Sequence, residues 1–250
     1  MTRAITVKNL YERKYKILEV DGIWKEVLGE PEANGAWLIY GKEKNGKTWI
    51  ALQLAWYLSR TNKVLYVSAE EGTGKAFKES LQRVGVKPDC RSLHILEYES
   101  VEELDNRLGK QRAPNIVFID NLTIYQDEFK RAKDLSQLIS KHDTKLFVFL
   151  AHEERGDPYT SAAKLCRKLA KVIFHVKGLA CNVTGRVPGG VLVIDEGKSQ
   201  LFHGNQTENE SSENQGNQKI LPAQAAEGNL QGRGKKKNSS RSLGRAAEEN

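Results

Sequence analysis

The chain has 250 residues, a formal net charge of +7 and an apolar share of 39%. That length suits one sizeable core, while the low apolar share implies that part of the chain stays unfolded. No apolar run reaches the length of a membrane span, no signal-peptide core opens the chain, and the scattered Cys90, Cys166 and Cys181 form neither a zinc pair nor a disulfide framework. A reducing cytoplasm is the expected home, and the basic balance suits a polyanion partner only weakly.

Residues 1–35 read as a lead-in that packs on the core edge through Tyr11, Tyr15, Ile17, Leu18, Ile23, Trp24 and Leu28. It ends in a Gly- and Pro-containing turn at 29–35. Residues 36–40 are the first predicted strand, and a helical pattern spans 48–60. Between them stands Gly41-Lys42-Glu43-Lys44-Asn45-Gly46-Lys47-Thr48, which is G-x-x-x-x-G-K-[ST] in the strand–loop–helix setting it requires. Glycines let such a loop turn its N–H groups inward around an anion. The helix N-terminus adds unpaired N–H groups and partial positive charge. Lys47 is then expected to reach the outer phosphates and the Thr48 hydroxyl to ligate Mg²⁺. The predicted nucleotide-binding stretch is Gly41, Lys42, Glu43, Lys44, Asn45, Gly46, Lys47, Thr48 and Trp49.

Further strands are predicted at 63–68, 94–96, 115–119, 145–150 and 172–176, alternating with helices at 75–84, 101–110, 128–142 and 161–171. Alternation of this kind implies a mostly parallel sheet with helices on both faces. Beyond residue 176, short segments at 180–184, 191–195 and 199–203 are joined by Gly/Pro turns and read as an antiparallel extension. Residues 36–203 thus form the expected core. Residues 204–250, rich in Asn, Gln, Gly, Ser, Glu and Lys, read as a disordered tail. A second glycine-rich stretch, Glu71-Gly72-Thr73-Gly74-Lys75, lacks the leading glycine of a phosphate loop, because Ala69 stands there.

Two acidic positions stand at strand ends. Asp120 closes the hydrophobic run Ile116-Val117-Phe118-Ile119, where a phosphate-loop protein places a second acid for Mg²⁺. Glu70 and Glu71 follow the strand at 63–68, on the sheet edge where ligands collect. From the residues alone, this acidic pair suits catalysis and a solvated surface equally.

Lys63-Val64-Leu65-Tyr66-Val67-Ser68-Ala69-Glu70, taken with residues 41–48 and 116–121, resembles the RecA-like P-loop ATPases, in particular the RadA and DnaB/RepA helicase–recombinase group. The resemblance covers about residues 22–203. It implies ATP and Mg²⁺ as cofactors, Glu70 as the catalytic base, and Lys47, Thr48 and Asp120 on phosphate and metal. It also implies a role for His152, after the strand at 145–150, as a sensor of the terminal phosphate. Arg186, in Thr184-Gly185-Arg186-Val187-Pro188-Gly189-Gly190, stands where DnaB-type proteins present an arginine to a neighbouring subunit's nucleotide, although the family's preceding lysine is Thr184 here. The segment 153–171 corresponds to the family's single-stranded DNA contact, with Arg155, Lys164, Arg167 and Lys168 as the basic positions and Lys171 beside them. Glu153, Glu154 and Asp157 dilute that charge, and Tyr159 is the aromatic residue of its loop. No zinc module or helical N-terminal domain of the kinds found in that group precedes the core. The implied function is a homo-oligomeric Mg-ATPase, ring or filament, acting on single-stranded DNA; the alternatives are a KaiC-like regulatory ATPase and a nucleotide-gated protein-binding module.

Overall fold

The computed structural model describes residues 4–130, 132–194 and 218–220. In chain order these form α1 (Val7–Tyr11), α2 (Gly22–Leu28), β1 (Gly35–Gly41), α3 (Lys47–Leu58), β2 (Val64–Ser68), α4 (Lys75–Val84) and β3 (Leu93–Leu96). Then follow α5 (Val101–Leu108), β4 (Ile116–Asp120), α6 (Ala132–Lys141), β5 (Leu146–Glu154), β6 (Asp157–Pro158) and α7 (Ser161–Leu169). The last elements are β7 (Val172–Lys177), β8 (Ala180–Gly185), β9 (Gly190–Val193) and β10 (Gln218–Ile220).

The sheet order is β10-β9-β8-β7-β1-β5-β4-β2-β3. From β7 to β3 every neighbouring pair is parallel. β8 and β9 add antiparallel strands, and β10 lies parallel to β9. This is the mostly parallel α/β arrangement with an antiparallel C-terminal extension that the strand–helix alternation implies.

Parallel strands covered on both faces must be apolar on both, and β1 shows how. Trp37 and Ile39 join the core beneath α3 and α2, whereas Ala36, Leu38 and Tyr40 join a second core with α5, α6 and α7. The lead-in divides at Leu18. Leu18, Trp24, Val27 and Leu28 are buried, with Trp24 packed 5.6 Å from the Tyr57 ring, while Tyr11, Tyr15 and Ile17 are exposed. Tyr11 and Tyr15 thus lie outside the packing their apolar character suggests, while Ile17, though exposed, pairs with Glu32 in an isolated antiparallel bridge.

Other boundaries move for local reasons. The helix expected at 128–142 begins at Ala132, and residues 122–128 form turns. The strand expected to stop at Leu150 runs on to Glu154, because β6 folds back on it through a turn with Arg155 at φ 53° and Gly156 at φ 87°. The expected strand at 199–203 lies outside the described residues, as does the tail at 204–250 apart from β10.

Candidate functional site

The site forms where β1, β2, β4 and β5 end on one edge of the sheet. β1 delivers the phosphate loop, and the two glycines that bound it answer different constraints. A Cβ on Gly41 would stand 2.2 Å from the Val176 carbonyl oxygen of the neighbouring strand, so this glycine is required by strand packing. Gly46 has φ 97°, a left-handed conformation that precedes the first turn of α3. Asn45 ties the loop to the β7–β8 turn, accepting the Gly178 N–H at 2.8 Å while its own amide donates to the Glu43 carbonyl. Leu179, in the same turn, lies against Gly46. Lys42, Glu43 and Lys44 are exposed on the loop, Trp49 is half-buried, and Arg83 lies over the Trp49 ring at 5.3 Å.

Lys47 is buried within the loop and donates from Nζ to the Lys42 carbonyl at 2.9 Å. Burial lowers its ammonium below the ordinary lysine range, and the carboxylates of Glu70, Asp120, Glu43 and Glu153 oppose that shift. Asp120 ends β4 at 3% exposure, and the peptide bond to Asn121 is cis. Its Oδ2 accepts the Tyr66 hydroxyl at 2.8 Å and lies 3.5 Å from Thr48 Oγ1. Burial pushes the Asp120 carboxyl up to about 7; the Tyr66 hydroxyl draws it down, the nearby Glu70 and Glu71 add to the rise, and Lys47 counters.

A buried carboxylate beside a threonine hydroxyl, close to other acids, is a donor set that fits Mg²⁺. The described residues hold no group of three or more His, Cys, Asp or Glu side chains that could cage a metal. Mg²⁺ commonly binds through one or two protein oxygens and completes its shell with substrate phosphates and water. Thr48 and Asp120 are the residues that would hold it.

Glu70 follows β2 and carries its carboxylate toward β4 and β5. Oε2 accepts the Asn121 Nδ2 amide at 2.9 Å, and Oε1 lies 3.3 Å from His152 Nε2. His152 on β5 stands in register with Gly41, the first residue of the phosphate loop. Glu70, His152, Lys47, Thr48 and Asp120 are thus gathered at one place, with His152 directed at Glu70. Among the described residues Glu71 makes no comparable contact, and its carboxyl is raised by burial and by the charge of Glu70. Tyr66 and Asn121, which hydrogen-bond to Asp120 and Glu70, are members of this cluster that the sequence reading did not single out. A tyrosine within an apolar strand reads as core, and an asparagine after a strand reads as a turn; only the fold turns both toward carboxylates.

Arg186 lies elsewhere. Its backbone N–H donates to the Lys171 carbonyl at 2.7 Å, just before β7, whereas the phosphate loop adjoins the other end of that strand at Val176. It is exposed and stands at the opposite edge of the sheet from the Gly41–Thr48 loop of its own chain. Lys171 lies at the same far edge, where it pairs with Glu32 and Asn34 and fastens the lead-in, so it is no part of a basic loop. Arg155 caps the β5–β6 turn, and Lys164, Arg167 and Lys168 are exposed on α7. Arg167 is engaged internally, paired with Asp157 and stacked over the Tyr40 ring at 5.4 Å. Glu153 pairs with His175 at 2.8 Å, and the His175 ring stacks on Tyr40 with centroids 4.4 Å apart.

No family model matches the chain, and no curated protein matches it. The crystal structure of the flagellar accessory protein FlaH from Methanocaldococcus jannaschii is similar in shape, with a TM-score of 0.52 at 16% sequence identity over 71% of this chain and 91% of that one. Likeness at that identity establishes the RecA-like fold. Structures of this shape number 625 chains, and a fold so widely used does not select one activity.

Proposed function

We propose that this RecA-like protein binds and hydrolyses Mg-ATP, and that it works as a homo-oligomer on single-stranded DNA. The observation that carries the catalytic part is the convergence of Glu70 with the loop bearing Lys47 and Thr48, through Asn121 and His152. In the proposed reaction the loop amides and Lys47 hold the phosphates and offset charge on the transferring group. Glu70 takes the proton of the attacking water as its oxygen bonds to the terminal phosphorus, and the bond from phosphorus to the ADP oxygen breaks. Thr48 and Asp120 would hold Mg²⁺, which when bound would further neutralise phosphate charge.

The DNA part draws on the exposed Arg155, Lys164 and Lys168 beside the β5–β6 hairpin. A second reading, a regulatory ATPase whose output is a protein contact, is favoured by the internal pairing of Arg167 with Asp157, which withdraws one cation from any nucleic-acid track. ATP turnover with and without single-stranded DNA, across low to physiological salt, decides between them. Stimulation several-fold, falling as salt rises, is expected for the first reading; indifference to DNA selects the second. Glu70→Gln is expected to retain Mg-ATP binding and to lower turnover by about 10²–10³-fold. Undiminished turnover in that variant removes Glu70 as the base.

A further inference from the structure

Glu70 starts from β2, and β4 separates that strand from β5. Its carboxylate nevertheless bonds to a residue following β4 and to one on β5, the strand beside the phosphate loop. A glutamate at a strand end has three side-chain torsions and, at 41% side-chain exposure, little packing to fix them. The two hydrogen bonds set its direction.

The two partners differ in how firmly they are held. Asn121 is 1% exposed, and its Oδ1 accepts the Thr123 N–H at 2.9 Å. That bond fixes which end of the amide is oxygen, and so aims Nδ2 at Glu70. Among the described residues the His152 side chain has no second anchor, since its buried Nδ1 lacks a hydrogen-bond partner there. Asn121 is therefore the fixed arm of the clasp and His152 the releasable one.

We propose that Asn121 is a positioning residue that holds the Glu70 carboxylate across β4 toward the phosphate loop, so that Glu70 meets the attacking water within hydrogen-bonding reach. This role depends on the reading of Glu70 as the base. A general base acts only within about 2.6–3.2 Å of the proton it takes, and small misplacements cost large factors in rate. Asn121 does not touch the reacting atoms; it acts through Glu70, and its loss shows in kcat while nucleotide binding persists.

The test uses the full chain and compares Asn121→Ala with Asn121→Asp. The aspartate keeps the size of the side chain and an acceptor for Thr123, but lacks the amide donor. Both variants are expected to lower kcat by about 10–100-fold while the KM and Kd for Mg-ATP stay within about two-fold of wild type. In a Glu70→Gln background, Asn121→Ala is expected to lower the residual single-turnover rate no further, because residues acting as a unit are not additive. If Glu70→Gln itself leaves turnover intact, the base assignment fails and the positioning role goes with it. If Glu70→Gln abolishes turnover but Asn121→Asp keeps wild-type kcat, the positioning role alone is overturned. A full multiplicative loss in the double variant also overturns it, since that marks a general structural effect.

Discussion

A methyl group at Gly41 meets a backbone carbonyl oxygen at 2.2 Å, whereas one at Gly46 meets the end of the Leu179 side chain at 2.9 Å. Backbone cannot move aside cheaply; a leucine methyl can. Gly41→Ala is expected to cost about 3 kcal/mol or more through forced strand separation, lowering Tm by about 6–12 °C. Gly46→Ala carries the strain of a left-handed alanine, about 1–2 kcal/mol, and its larger effect is expected on phosphate binding. Thermal melts with and without Mg-ATP separate the two. Gly41→Ala lowers the melting point in both conditions, and Gly46→Ala chiefly erases the stabilisation that ligand provides.

At the scale of elements, α5 and α6 are joined by Asp105, which pairs with Lys141 and with His142 Nε2 at 2.8 Å. The Lys141 hydrogen bond, followed by that of His142, holds the Asp105 carboxyl below the ordinary aspartate range. Because the folded value lies below the unfolded one, the associated stability is fully present above about pH 4–5 and is lost as pH falls through the folded value. Asp105→Asn is expected to cost about 0.5–1 kcal/mol at pH 6. Its urea midpoint should converge on that of wild type as pH falls through the folded value; a constant gap across that fall would deny the pairing. The lead-in helix α2 offers a larger effect. Trp24 is 2% exposed against Tyr57, and Trp24→Ala is expected to cost about 3–5 kcal/mol. A melting point within a degree of wild type would show that α2 is not part of the core.

For the whole molecule, the position of Arg186 matters most. It stands at the sheet edge away from its own phosphate loop, and under the proposed homo-oligomer it would serve a neighbouring subunit's nucleotide. Glu70→Gln and Arg186→Ala should each be nearly inactive alone. Mixed, they are expected to recover turnover, because an Arg186→Ala subunit with its own Glu70 receives the arginine of a Glu70→Gln neighbour. A mixture no more active than the sum of its parts would withdraw the shared-site arrangement. No helix among the described residues is long and apolar enough to cross a membrane.

What the sequence by itself determined was the alternation of strands and helices, the mostly parallel sheet and the phosphate loop with its lysine and threonine. These are carried by local signals: runs buried on both faces, and glycines where a loop must turn tightly or lie against its neighbour. Tertiary structure alone decided that Tyr66 supports Asp120, that Asn121 and His152 hold Glu70, and that Lys171 fastens the lead-in far from the site. The reason is physical. Hydrogen bonds between side chains depend on which strands lie side by side and in what register, and β2, β4 and β5 meet only after the sheet has assembled in an order different from that of the chain.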